Sequence, residues 1–240
     1  MPRRPRIVIP GFPHHITQRG NYKQIVFREV EDFERYCYWV NKYAALYGLE
    51  ILAYCLMSNH IHFIAVPHHS NSLALTFKTA HMRYAQHANT KEARKGHLWQ
   101  GRFFSCVLQD DHLYRAIRYV EQNPVKGRVV KEAWDYRWSS ARWHMGLDLK
   151  SAINLKKIAI ADNWEKYLKE NDSDFQGEIK IKTRQGLIMG EEGFITSLEK
   201  RLGKSLKCLP KGRPKMGKMG TEKWGQTPTS EARNRGLSPF

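Results

Sequence analysis

The stretch from Leu49 to Pro67 constrains the fold more than any other part of the chain. Leu49 to Met57 is apolar and β-compatible, Ser58-Asn59 is a turn signal, and His60 to Val66 alternates in polarity before Pro67 closes it. Two extended runs joined by so short a turn must lie antiparallel, so this segment is a hairpin and the seed of a sheet. Its flanks have a different period. Between Glu31 and Gly48 the residues Phe33, Tyr36, Cys37, Val40, Tyr43, Ala44 and Tyr47 recur at helical spacing, with Gly48 as a stop. After the hairpin, Leu73, Phe77, Ala80, Tyr84 and Ala88 predict a second helix over Ser72 to His87, followed by a charged loop from Asn89 to Gly96.

The remaining elements complete a pattern. Phe12 to Arg19 alternates and ends at the turn signal Gly20-Asn21, which makes it a first strand. Leu98 to Leu108 reads as a further strand or pair of short strands around Gln100-Gly101-Arg102, and Asp110 and Asp111 can cap a helix that runs to Asn123 and stops at Pro124. The order βαββαβα is an α+β pattern, suited to an antiparallel sheet with helices on one face. We assign this main domain to residues 1–150, ending in the aromatic cluster Trp134 to Trp143. Residues 151–203, with Phe194, Ile195, Leu198 and Leu202 at helical spacing, read as a small helical appendage. Residues 204–240 are rich in Lys, Arg, Gly and Pro and form a basic tail that cannot build a core and is expected to be disordered without a partner.

Charge narrows the partner. Forty Lys and Arg against 23 Asp and Glu leave a formal net charge of +17, which favours polyanions, either nucleic acid or an anionic membrane. No stretch approaches the roughly 20 apolar residues of a bilayer span, and the start lacks a signal-peptide core, so we expect a soluble cytoplasmic protein with no membrane partner. The cysteines Cys37, Cys55, Cys106 and Cys208 are widely spaced without a CxxC pair, which argues against a zinc knuckle or a disulfide framework.

Chemistry concentrates in two places. His60 and His62 alternate along a strand, so both imidazoles share one face while Ile61, Phe63 and Ala65 take the other. Two adjacent imidazoles suit a divalent metal, although a solvent-facing strand also carries such pairs. Ile64 stands where a histidine-triad hydrolase would need its third histidine. On the helix ending at Asn123, Leu113, Ala116, Ile117 and Val120 form the apolar arc. At about 100° per residue, Tyr119 and Asn123 lie only about 40° apart on one flank, with Tyr114 roughly half a turn from Asn123. That helix thus offers a third metal ligand and a nucleophile, although a tyrosine at a sheet–helix seam and an asparagine before proline also have purely structural uses. His14 and His15, on the first strand, could meet DNA but read rather as solvated histidines near a basic terminus. Trp99, Arg102 and Phe103 suit stacking or clamping of an unpaired base, or a place in the core. Lys211-Gly212-Arg213-Pro214-Lys215 has the form of an AT-hook core for a narrow minor groove.

Four motifs in order carry a resemblance. Met57-Ser58-Asn59-His60-Ile61-His62-Phe63, Leu98-Trp99-Gln100-Gly101-Arg102-Phe103, Arg118-Tyr119-Val120-Glu121-Gln122-Asn123-Pro124-Val125-Lys126 and Trp138-Ser139-Ser140 resemble the IS200-like tyrosine transposases, most of all the REP-associated branch. Gly186 to Pro214 also looks like the tail of that branch. The resemblance covers residues 12–143 and departs at Ser58, a turn position where the family often has proline. It implies an HUH endonuclease on a ferredoxin-like, RRM-like sheet, with His60, His62 and Asn123 holding Mg²⁺ or Mn²⁺ and Tyr119 as nucleophile. The implied activity is cleavage and transfer of single-stranded or hairpin DNA through a 5′-phosphotyrosine, in a cytoplasmic, nucleoid-associated protein that is a monomer or homodimer. Arg115, one turn before Tyr119, would favour the phenolate; Arg19, Trp99, Arg102, Arg115, Lys211 and Arg213 are the DNA-binding candidates. A different class, an RRM-like nucleic-acid-binding module that cleaves nothing, fits the same composition.

Overall fold

The chain alternates strand and helix through its first half, as the periodicities require. The computed structural model describes residues 6–160, 163–203 and 205–206. The elements run β1 (His14–Arg19), α1 (Val30–Leu46), β2 (Leu49–Met57), β3 (His60–Pro67), α2 (Ser72–Lys91), β4 (Phe104–Leu108), α3 (Leu113–Glu121), α4 (Asn123–Lys126), α5 (Ala141–His144), α6 (Trp164–Lys169), α7 (Ser173–Gln185), β5 (Ile188–Met189) and α8 (Glu192–Leu202). The sheet order is β2-β3-β1-β4-β5. Its first four strands are antiparallel with β1 central, and β5 adds to β4 in parallel, so the five-stranded sheet is mixed.

Strand parity sorts the core into two layers. Ile16, Ile61, Phe63 and Ala65 pack with Phe33, Tyr36 and Val40 of α1 and with Leu73, Phe77, Ala80 and Tyr84 of α2. The opposite parity, Ile64, Cys106 and Leu108, packs with Ala116, Ile117 and Val120 of α3 and with Phe175 and Ile179 of α7. A register shift between Ile51 and Ala53 lets β2 feed both layers, with Leu52, Ala53 and Cys55 in the second. Helices therefore cover both faces, where the sequence pattern predicts one. The physical reason is in β2 itself: a nearly continuous apolar run has no face to give to water.

Three boundaries also differ. α2 continues to Lys91, whose ammonium reaches Glu29 and Asp32 at 2.9 and 3.0 Å, so the loop begins later. Of the Leu98 to Leu108 stretch only β4 is a strand; Trp99 makes an isolated bridge with Gly20. Pro124 does not end the helical path, because it sits in the first turn of α4, where its missing N–H has no partner to lose. The segment 151–203 is helical over α6, α7 and α8, and it also supplies β5 to the sheet.

The end of α3 is fixed by a buried charge. Glu121, fully inaccessible, accepts hydrogen bonds from Ser140 Oγ, from His144 Nδ1 and from Trp164 Nε1. A carboxylate buried with three donors has one geometry available to it, and this sets the rotation of the helix that carries Tyr119.

Candidate active site

Sheet register decides what meets α3. In the β1–β3 pairing Arg19 lies opposite His60 and Thr17 opposite His62, so His15, Thr17 and Arg19 share a face with the two histidines. Over that face Tyr119 presents its ring edge-on, with centroids 5.5 Å from His15 and 5.7 Å from His62. Together with Asn123, Gln100, Arg102 and three residues of α7, these line a cleft of about 610 Å³. His60, His62, Tyr119, Asn123, Arg19 and Arg102 are thus brought to one place.

Hydrogen bonds fix the imidazoles. Nδ1 of His60 lies 2.6 Å from the side-chain oxygen of Asn59, which can only accept, so Nδ1 carries the proton and Nε2 keeps a lone pair. His62 Nδ1 lies 2.9 Å from His15 Nε2, His15 Nδ1 lies 2.7 Å from Thr183 Oγ1, and that hydroxyl lies 3.1 Å from Cys106 Sγ. With His62 donating to His15, His15 to Thr183 and Thr183 to the cysteine sulfur, every member is satisfied in one direction. This assignment leaves Nε2 of His62 as a lone pair as well. Burial pushes His60 down to about 4, His15 to about 3 and His62 well below the usual range, so all three are neutral near pH 7, the form that ligates metals.

Asn123 spends its amide nitrogen on the carbonyls of Tyr119 and Val120, at 2.9 and 3.1 Å, which leaves its oxygen for a ligand. Two imidazole nitrogens and an amide oxygen, with the imidazoles oriented by partners of their own, suit Mg²⁺ or Mn²⁺ with open coordination positions. Among the described residues no group of three or more His, Cys, Asp and Glu side chains is placed to hold a metal, so such a site depends on the amide. Burial, reinforced by Cys106, raises the Tyr119 phenol to about 12, and Arg184 acts against the shift. The Lys126 ammonium stands 4.9 Å from the centre of the Tyr119 ring.

Several expectations are corrected. His14 and His15 are buried rather than solvated, because β1 is the central strand and both its faces are covered. Trp99 belongs to the first-layer core: its Nε1 donates to the carbonyl of His81 at 3.1 Å, and its ring packs on Phe27, Tyr36 and Tyr84. Arg115 neither lines the cleft nor touches Tyr119. It forms a two-pronged pair with Asp172 at 2.8 and 3.0 Å and lies over Phe175, since a helical side chain leans toward the N-terminus and away from the next turn. Lys211 and Arg213 lie outside the described residues. His15 was given no place beside His62, and Lys180, Thr183 and Arg184 escaped the sequence reading. For the last three a signal existed, their three- and four-residue spacing on one helix face; for His15 the pairing register was needed.

Residues 11–123 match the family described as Transposase IS200 like. A solved structure described as the REP-associated tyrosine transposase bound to a REP hairpin aligns with TM-score 0.53 at 17% identity, covering 68% of this chain and 98% of that one. A crystal structure described as a candidate transposase from Deinococcus radiodurans aligns with TM-score 0.34 at 17% identity, over 50% of this chain and 96% of that one. No curated protein gives a match.

Proposed function

Since residues 11–123 of this chain are an IS200-like transposase domain, we propose that it is a metal-dependent single-strand DNA endonuclease and strand transferase acting on hairpin-forming DNA. The observation that carries the reading is the convergence of Tyr119 with His60, His62 and Asn123 in one cleft. The hairpin as substrate is carried over from the ligand of the structurally similar transposase. No described helix is long and apolar enough to cross a membrane. A cytoplasmic, nucleoid-bound protein follows from the same reading.

His60 and His62 through Nε2, and Asn123 through its side-chain oxygen, would hold Mg²⁺ or Mn²⁺. When bound, such an ion neutralises charge on a phosphate oxygen and lowers the barrier to attack. The chain supplies the rest. Arg19 and Arg102 hold the strand by its phosphates. Tyr119, edge-on to the imidazoles in the same cleft, supplies the attacking oxygen. At neutral pH the phenol is protonated, its pKa being raised to about 12, so it gives up its proton as its oxygen bonds to phosphorus. The bond from phosphorus to the 3′-oxygen breaks, and that oxygen takes up a proton to leave as a 3′-hydroxyl. A 5′-phosphotyrosine remains, and because its bond energy is conserved, a 3′-hydroxyl can attack it later and rejoin strands.

The test is incubation of the full chain with labelled hairpin oligonucleotides and Mg²⁺, followed by denaturing electrophoresis. A denaturation-resistant adduct is expected for the wild type. Binding without any adduct would favour the non-cleaving module instead.

A further inference from the structure

The family match ends at residue 123, yet the cleft is lined by Lys180, Thr183 and Arg184 of α7, about 60 residues further on in sequence. Their spacing of three and four places them on one helix face. Thr183 sets which face that is: it is 1% exposed and bonded to both His15 and Cys106, so α7 has one rotation, and that rotation carries Lys180 and Arg184 to the cleft. The helix is also anchored at its ends. Asp172 caps its start and is held by Arg115 and Arg118, while Gly186, at φ +68°, ends it so that β5 can join the sheet beside β4.

Charge distinguishes the cleft side of α7 from the rest of its surroundings. Lys182, on the same helix, pairs with Glu178; Arg115 and Arg118 pair with Asp172. Among the described residues neither Lys180 nor Arg184 has an ion-pair partner, and the cleft lining holds four cations and no carboxylate. Cations left unpaired on a rigid element, facing a concave surface without acids, are arranged for an anion from outside the chain.

We propose that α7 is a wall of the active site, with Lys180 and Arg184 clamping backbone phosphates of the single strand next to the one that Tyr119 attacks. The inference rests on the DNA-cleaving reading for the identity of the strand, and its test is chosen to be separable from that reading. Each cation seated on a phosphate of a single strand releases condensed counterions and adds about 0.7 to the slope of log affinity against log salt. The full chain and its variants are titrated, without divalent metal, against a fluorescent hairpin oligonucleotide carrying a single-stranded 5′ flank, across a range of salt concentrations. The Lys180→Gln/Arg184→Gln double variant should lose about 1.4 from that slope. Arg184→Lys should keep the slope, and Lys182→Gln, which alters a paired residue of the same helix, should leave it unchanged. An unaltered slope in the double variant overturns the clamp, whatever the wild type does to DNA. A reduced slope from a wild type that forms no adduct upholds the clamp and removes the cleavage reading instead.

Discussion

The two layers over the sheet are built on different principles. The α1 and α2 layer is mainly apolar and aromatic: Phe27, Phe33, Tyr36, Phe63, Phe77, Tyr84 and Trp99 interlock, with His81 as a single imidazole bonded to the Tyr36 hydroxyl at 3.0 Å. The α3 and α7 layer buries a larger set of polar groups, among them His15, His62, Arg118, Glu121 and Thr183. Both layers bury polar groups that must be satisfied, Asp32, Thr76 and His81 among those of the first, but those of the second meet Tyr119 in the cleft, so aromatic packing dominates one layer and chemistry the other. That division is what variants should break or sharpen.

The largest contrast is between Tyr119→Phe and Phe77→Ala. The first removes one oxygen and should abolish the protein–DNA adduct on denaturing gels while leaving thermal stability and hairpin binding near the wild-type values. The second empties a fully buried site of the first layer and should cost about 3–5 kcal/mol of unfolding free energy in urea titrations, by the usual cost of truncating a core aromatic. If Tyr119→Phe keeps the adduct, or if it unfolds the protein as Phe77→Ala does, the division between layers fails.

Next in size is Thr183→Val, which keeps the volume and removes the hydroxyl that orients His15. Thr183 stands one hydrogen bond beyond His15, which is the direct outer partner of His62, and loss of such a direct partner typically costs 10- to 100-fold in metal affinity or activity. We expect Mn²⁺ affinity by titration and adduct rate to fall together, by up to that range, and hairpin affinity in metal-free buffer to fall as well, because Thr183 also fixes the rotation of α7. Unchanged Mn²⁺ affinity would separate His15 from the metal site.

The pH dependence of stability should be smaller and arise from buried imidazoles outside the cleft. Burial holds His81 near 3 and His14 near 4, below the 6.5 of an exposed imidazole. Below pH 6.5 the unfolded chain takes up protons that the folded chain refuses, so stability is complete above that pH and is lost as pH falls toward the folded values. Each such group steepens the acid limb by at most about 1.4 kcal/mol per pH unit. Urea unfolding between pH 7 and pH 5 should show this decline, and His81→Gln should make it shallower. The smallest effect is expected from Tyr114→Phe, whose hydroxyl bonds to the carbonyl of Ala159 at 2.7 Å, away from the cleft. Adduct formation should persist at the wild-type rate.

The first layer was legible in the sequence because period and parity alone generate it: the spacing of Phe33 to Tyr47 and of Leu73 to Ala88 needs only one apolar face to pack against. The pairing of Tyr119 with Asn123 and of His60 with His62 was readable for the same local reason. The second layer was not, because its contacts join distant segments. His15 meets Thr183 across 168 residues, and Arg115 is taken from Tyr119 by Asp172, 57 residues away. Trp99 stood between core and nucleic acid on composition, and only the position of His81 decides it. The covered second face did leave a trace, since Leu49 to Met57 is apolar at both parities, a pattern that one-sided sheets do not need.

The central claim is that Tyr119 forms the bond to DNA. Its most direct test is peptide mapping by mass spectrometry of the adduct formed with Mg²⁺ and a hairpin oligonucleotide, after nuclease trimming of the attached strand. The account predicts a nucleotide joined through its 5′-phosphate to Tyr119 and a free 3′-hydroxyl on the released fragment. A nucleotide on Tyr114 or any other residue, or cleaved DNA with no modified peptide, would contradict it.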